Sequence, residues 1–496
     1  MGVVAAGHPL TAEAGAQVLR EGGNAVDAAI CSVLTSFITE SLLTGIGAGG
    51  FMLVHEPGSR SSTLVDFFVA AGGAEGAERG SELEPIPVDF GDTTQDFHVG
   101  AASCGVPGTL AGLDHVARRF GSVPQERLVE PAVGLARDGV RITSEQAYFH
   151  EILSPILVST PECAALYEPE GRPLAEGDVF RFPDAGDALE RFASEGAEPF
   201  YRGEVARAVA NWVGERGGTL GPGDMAAYEP IEREPVRAAF RGAEVLTNPP
   251  PSSGGILIAC ALNVLEGLGE STGVPQIVTA TEAANARRTE EFAERLHDPA
   301  SLDDFFAGEP PSTLGSTTHI SVLDAAGVCA SVTCSNGTGS GLVVPGTGVH
   351  VNNMLGEEDL NPGGFHRIPP GRRVSSMMAP TIAQRDGEVV LGLGSAGSNR
   401  IRSAILGTAV RVLEQGMGAE EAVRAPRIHF EAGTVQAEPG VSEEGLAAVE
   451  DAGIPVVRWS RQNIYFGGVQ AVVRDPASGE ISGGGDPRRG GAVVLA

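Results

Sequence analysis

The sequence predicts an α+β chain in which helical layers flank stacked β-sheets, and three observations carry that reading. Apolar residues recur at helical spacing through most of the first 300 or so positions, the pattern changes to hairpins and Gly-rich turns after position 317, and helical segments return before two closing strands.

Taken in order, the periodicity predicts helices at 11–20, 24–43, 108–119, 128–138, 204–216, 255–267 and 278–296. The second is announced by Asn24 with Asp27 three residues on, a pairing in which each side chain takes a backbone N–H of the other. Short strands, "FMLVHE" (51–56) and "STLVDFF" (62–68), lie between the helices. The segment 298–316, "DPASLDDFFAGEPPSTLGS", has the turn and breaker content of an irregular loop, and it is the strongest composition shift in the chain. It runs directly into "TTHISVLDAAGVCASVTC" (317–334), two β-branched runs joined by the turn Asp324–Gly327 and so a predicted hairpin. A helix at 401–415, an amphipathic segment at 440–452 and the strands "GGVQAVVRD" and "GGAVVLA" complete the pattern.

The 496 residues, 42% of them hydrophobic, can bury a large core. No apolar run approaches a membrane span. The start lacks a charged segment followed by a long apolar one, so no secretory signal is visible and a cytoplasmic location is the expectation, with export from a precursor whose leader is missing left open. A formal charge of -30 argues against nucleic acid as partner, because phosphate binding needs clustered cations. All 34 basic residues are arginine, which excludes lysine-based nucleophile activation. The six cysteines form no CxxC and the ten histidines no HExxH, so no metal is implied.

Two short patterns mislead. "GIGAGG" (45–50) fits the dinucleotide fingerprint by letter, but a predicted helix precedes it and a strand follows, the reverse of what that fingerprint needs. "GESTG" (269–273) fits a nucleophile elbow by letter, yet it follows a helix and reads as its C-terminal turn.

Thr317, at the head of the predicted hairpin, acquires chemical meaning if the bond before it is cut. The freed α-amine has a pKa of about 7.7 to 8.0, so it is partly neutral near pH 7 and can accept the proton of its own residue's hydroxyl. One residue then supplies nucleophile and base, which suits a chain without lysine. Threonine also favours strands for ordinary packing reasons, so position alone does not assign the role.

The segments "GHPLTAEAGAQVLREGGNAVDAA", "GIGAGGFMLVHE", "GVPGTLAGLDHVARRFG", "NPPPSSGGI", "STTHISVLDAAG", "GSGLVVPGTGVHVNNM", "SSMMAPTI", "GSAGSNRI", "APRIHFE" and "GGGDPRRGG" occur in one order along nearly the whole chain. In this they resemble the γ-glutamyltransferases, also called glutathione hydrolases, of the N-terminal-nucleophile hydrolase superfamily. The resemblance implies a four-layer αββα sandwich and a precursor cut between Ser316 and Thr317. The products would be a large-subunit portion, 1–316, and a small-subunit portion, 317–496, paired as a heterodimer forming one fold. It further implies Thr317 as nucleophile in processing and turnover, with Ser335 hydrogen-bonding its surroundings, and backbone N–H groups at Gly397 and Ser398 as oxyanion donors. Ser375 and Ser376 match a serine pair that holds a substrate carboxylate. Asn352, Asn353 and Glu357 match the segment that grips the glutamyl amine. No metal or organic cofactor and no membrane partner is implied; the ligand is a small γ-glutamyl amide such as glutathione.

Three departures bear on substrate identity. Phe68 stands where the family carries a carboxylate-binding arginine, Met354 and Glu357 replace the usual glutamine and aspartate, and the loop 335–341 is shortened, leaving open whether Asn336 or Gly337 replaces its asparagine. Arg372, Arg373 and Arg400 lie closest in sequence to the serine pair and the oxyanion turn, so one of them is the expected replacement. The expected activity is γ-glutamyl hydrolysis or transpeptidation through an acyl-enzyme. The alternatives are an acylase of the same fold taking a glutaryl-like group and a non-catalytic binding homologue.

Overall fold

Chain segments from both sides of position 317 contribute strands to each of two large antiparallel sheets. The computed structural model describes residues 2–57, 61–74, 82–89, 94–269, 271–288, 292, 296, 317–361 and 363–496. The first sheet has seven strands, ordered Ala492–Leu495, Val3–Ala6, Thr318–Leu323, Cys329–Ser335, Gly49–Glu56, Ser61–Phe67 and Ile231–Arg233. The second has six, ordered Ile481–Gly485, Gly468–Arg474, Glu388–Ala396, Thr381–Arg385, Ala243–Thr247 and Val236–Phe240.

Helices Pro9–Arg20 and Ala25–Thr39 lie on the outer face of the first sheet, and helices Ser253–Leu268 and Arg400–Leu413 on that of the second. The apolar residues sort accordingly. Ile30, Leu34, Ile320 and Val332 fill the layer between helices and first sheet; Phe51, Leu53, Leu246, Leu323 and Val472 fill the space between the sheets; Ile258, Leu262, Leu393 and Ile405 fill the second helical layer. Burying each such side chain contributes roughly 1.5–3 kcal/mol, and period-2 alternation sends neighbours into different layers. Along Thr318–Leu323 the even positions Thr318 and Ile320 face the helices, whereas His319 reaches across to the second sheet, where a Cβ on Gly394 would strike its ring.

The Asn24–Asp27 capping box forms at the start of Ala25–Thr39. The 317–334 hairpin pairs Thr318 with Cys334 and Leu323 with Cys329, and Asp324 Oδ1 accepts from the N–H groups of Ala326 and Val328 to fix its turn. "GIGAGG" follows the Ala25–Thr39 helix and leads into the strand Gly49–Glu56, and "GESTG" begins at the left-handed C-cap Gly269, with Glu270 outside the described residues. Some expectations need correction. The helix expected at 24–43 ends at Thr39, and the one expected at 278–296 runs from Val274 to Asn285. Helices Ser144–Leu157 and Pro183–Glu195 were not foreseen; the first carries Pro155 within it. The loop 298–316, with Ser316, lies outside the described residues. Among the described residues no helix is long and apolar enough to cross a membrane.

Candidate active site

Sheet register brings Thr317 beside Ser335. Thr318 pairs with Cys334, and one further step along the same antiparallel register sets 317 against 335. Both line a pocket of about 290 Å³, and Ser398 joins them from the turn that precedes the helix Arg400–Leu413. That turn is tight: Gly397 has φ 115° and Ser398 φ 52°, so a non-glycine residue is held in the left-handed region. Gly397 sits behind Ser398, close against Gly467, where a Cβ would stand 2.9 Å from the Gly467 Cα. A 14-residue helix starting beside the pocket contributes the positive end of its dipole there, and Ile401 of its first turn forms part of the wall. Ser335 Oγ accepts from Gly337 N–H at 2.9 Å, which ties the loop 335–341 to the strand end.

Glu357 and Ser376 also line this pocket. Asn352, Asn353 and Ser375 do not, and their hydrogen bonds show what they do instead. Asn352 bridges the backbones of Gly47 and Gly105, Asn353 accepts from Thr338 N–H and donates to Thr338 Oγ1, and Ser375 Oγ donates to Leu360 O at 2.8 Å. All three hold the loops that form the walls. Of the two alternatives in the shortened loop, Asn336 turns its amide to His350 O, while Gly337, with φ 64°, faces the pocket.

The remaining wall is apolar: Phe68, Met354, Leu360, Met377, Met378 and Ile401. Phe68 is fully buried and stacked on Phe51 with ring centroids 5.2 Å apart. No arginine is among the described lining residues. Arg373, the nearest expected replacement, turns away to Asp66 and Glu229 O and lies over the Tyr228 ring; Arg400 donates to Tyr465 O; Arg372 is exposed. Among the described residues none of the three arginines lines the pocket, and for Arg373 the reason is plain: a buried arginine goes where a carboxylate and a carbonyl already satisfy it.

Two residues beneath Thr317 were not singled out from the sequence. Glu40, the C-cap of the Ala25–Thr39 helix, accepts a 2.7 Å hydrogen bond from Thr318 Oγ1, and burial pushes its carboxyl up to about 7. Arg489 Nη1 donates to Thr317 O at 3.5 Å, and burial lowers its guanidinium to about 10. The local signal for Glu40 was a glutamate closing a helix that is buried along its whole length. The six cysteines are buried free thiols; burial holds Cys31 and Cys104 at about 12 and raises the other four as well, so none competes as a thiolate nucleophile. Among the described residues no group of His, Cys, Asp and Glu could hold a metal ion.

A sheet pair closed by helical layers, with a threonine-headed strand opening onto a polar-rimmed pocket, defines the αββα sandwich of the N-terminal-nucleophile hydrolases. Residues 11–496 match the model of the gamma-glutamyltranspeptidase family, and the chain belongs to that family. It is 32% identical to an acylase ACY 1 proenzyme of Pseudomonas sp. strain V22, over 99% of this chain and 93% of the relative. It is 30% identical to the glutathione hydrolase proenzyme of Escherichia coli K12, over 98% of this chain and 90% of the relative. Among solved structures, the cephalosporin acylase of Bacillus halodurans superposes with a TM-score of 0.85 at 25% identity, covering 100% of this chain and 96% of the other.

Proposed function

We propose that the protein is a self-processing N-terminal-threonine amidase that cuts itself between Ser316 and Thr317. It would then hydrolyse, or transfer from, acyl amides through an ester on Thr317. The observation that supports this is the meeting of Thr317, Ser335 and Ser398 at one pocket, with the Gly397–Ser398 turn at a helix start. In processing, Thr317 Oγ1 attacks the carbonyl of residue 316, the peptide nitrogen leaves as the Thr317 α-amine, and water hydrolyses the ester. In turnover the same hydroxyl attacks the substrate carbonyl and passes its proton to that amine. The oxyanion forms toward backbone N–H donors at Gly397 and Ser398, which need no reorganisation as charge develops. The leaving amine takes the proton, and water or an acceptor amine releases the acyl group. The portions 1–316 and 317–496 stay together because both sheets contain strands from each.

The acyl group that fits best has an apolar stem, an amine or other donor at its far end, and no free carboxylate. Phe68, Met354, Leu360, Met377, Met378 and Ile401 suit the stem, and Glu357 suits an ammonium. A glutaryl chain would bring its terminal carboxylate toward the Glu357 carboxylate, and like charges at that distance repel. This is an acylase reading. The γ-glutamyl reading keeps a specific support, since Glu357 and Ser376 share the pocket and match an amine site and a carboxylate site. Missing one charge-assisted bond to the α-carboxylate costs roughly 1.5 to 3 kcal/mol, or about 10- to 100-fold in affinity.

The test is direct. N-terminal sequencing of the smaller product should begin Thr-Thr-His-Ile, and a chain that stays whole or is cut elsewhere refutes the assignment of Thr317. For the acyl group, the purified enzyme is compared on 5-aminopentanoyl, γ-glutamyl and glutaryl anilides. The expected order of kcat/KM is as written; γ-glutamyl first favours glutathione-like substrates, and glutaryl first contradicts the role given to Glu357.

A further inference from the structure

Self-cleavage would leave Thr317 as a chain terminus, and termini fray unless they are tied down. Thr317 lies one residue outside the strand Thr318–Leu323, so sheet pairing alone does not hold it. Two side chains, buried Glu40 and half-buried Arg489, grip this strand head from beneath. Thr318 Oγ1 donates to Glu40 Oε1 at 2.7 Å, and Arg489 Nη1 donates to Thr317 O at 3.5 Å. Thr318 is 3% exposed and Glu40 8%. Space for the Glu40 carboxyl exists because residue 7 is glycine; a Cβ there would collide with Glu40 Oε1.

Glu40 and Arg489 both line a second cavity, of about 510 Å³, behind the catalytic strand. The titratable groups facing Glu40 across it are His8, Glu145, His150 and Arg489. Burial keeps both histidines neutral by lowering them to about 4, Glu145 lies at the half-exposed margin, and among the described residues no salt bridge forms to Glu40. Its other oxygen, Oε2, has no hydrogen-bond partner among the described residues, so the bond from Thr318 is the contact through which Glu40 acts on the strand.

We infer that Glu40 is a positioning residue for Thr317: through the Thr318 hydroxyl, and together with Arg489 on the Thr317 carbonyl, it holds the freed strand head so that hydroxyl and amine address the pocket. This rests on the reading of Thr317 as nucleophile. Neither Glu40 nor Thr318 lines the pocket at Thr317, so their effect falls on the chemical step and leaves substrate binding alone. A misplacement of about 1 Å at a reacting group costs on the order of 100-fold in rate.

The experiment is a double-mutant cycle on the processed enzyme, with kcat and KM measured separately. Glu40→Ala and Thr318→Val should each lower kcat by about 10- to 100-fold with KM changed less than about 3-fold, and the double variant should be no worse than either. Glu40→Gln keeps an oxygen to accept from Thr318 and should restore most of kcat; with Thr318→Val, it also keeps the test decisive if Glu40→Ala does not fold. Multiplicative losses in the double variant, a loss carried by KM, or Glu40→Gln as impaired as Thr318→Val would overturn the inference. Thr317→Ala is the control. If it is uncut and inactive while Thr318→Val and Glu40→Gln both match the wild type in kcat, positioning fails and the nucleophile stands; if Thr317→Ala is still cut and active, the reading beneath the inference fails as well.

Discussion

Arg373 Nε stands 3.3 Å from Asp66 Oδ1, while Arg233 closes on the other carboxylate oxygen at 2.8 Å, so the arginine two residues before Ser375 is a member of a largely buried ion triad behind the pocket wall. Asp66 is fully buried and also accepts from Phe68 N–H at 2.9 Å, which fixes the backbone that carries the Phe68 ring. Arg373→Ala is therefore a stability variant. Removing one partner of a buried pair costs about 3 kcal/mol or more, and the lower end applies because Arg233 stays with Asp66. Denaturant unfolding should show that loss, and the ratio of KM values for γ-glutamyl and 5-aminopentanoyl anilides should stay within about 2-fold of wild type. A selective rise in KM for γ-glutamyl alone would mean the guanidinium does reach the substrate.

Glu357 gives the opposite expectation, since it faces the pocket. Glu357→Gln removes the charge and keeps the shape, so acyl groups ending in an amine should lose about 10- to 100-fold in kcat/KM, a neutral pentanoyl anilide should change less than about 3-fold, and a glutaryl anilide should improve. Equal losses across all three would assign Glu357 to holding the loop.

At Gly337 the backbone and the available space agree. Its φ is 64°, and a Cβ would strike Asn353 Oδ1, the atom that accepts from Thr338 N–H. Gly337→Ala should cost about 1–2 kcal/mol in backbone strain and shift the loop that Ser335 anchors. The expected reading is a folded, self-cleaved protein with kcat/KM reduced more than about 10-fold. Unchanged kinetics would show that this loop does not shape the site.

What the sequence revealed, and what it hid, follows the range of the interactions. The capping box at Asn24, the turn at Asp324 and the strand alternation after Thr317 are set by residues within a few positions of one another, and the fold forms them. The irregular helix Ser144–Leu157, with Pro155 inside it, broke the local pattern and escaped notice. The ion pair Arg373–Asp66 spans 307 positions and the bond Thr318–Glu40 spans 278, distances over which no periodicity carries information. Motif likeness located Ser335, Glu357, Ser376 and Ser398 around one pocket, but it could not tell that Asn353 and Ser375 spend their side chains on the loops. The apolar character of the pocket comes from Met354, Leu360, Met377 and Ile401, drawn from three separate segments, and only the packed sheets put them side by side.

Buried titratable groups set the pH dependence of stability, and their signs differ. Burial lowers His8, His150 and His350 to about 4 and His319 and His429 to about 3, from 6.5. Below 6.5 the unfolded chain binds protons that the folded one refuses, so their contribution is full above about pH 6.5 and is lost as pH falls toward 3, at up to about 1.4 kcal/mol per pH unit for each histidine. Glu40 works the other way. Its folded value of about 7 lies above the ordinary 4.5, so the folded state holds the extra proton; its favourable contribution is present below 4.5 and is lost as pH rises through 7. Five histidines outweigh one glutamate, and the unfolding midpoint should drop steeply as pH is lowered from 6.5 to 4. Measured in the Thr317→Ala background, which keeps one covalent chain, Glu40→Gln should raise the midpoint at pH 8, by an amount on the order of 3 kcal/mol at most, and match the parent at pH 4. A Gln variant that is less stable than the parent at pH 8 would show that Glu40 is held as a stabilised anion, contrary to its burial beside Thr318.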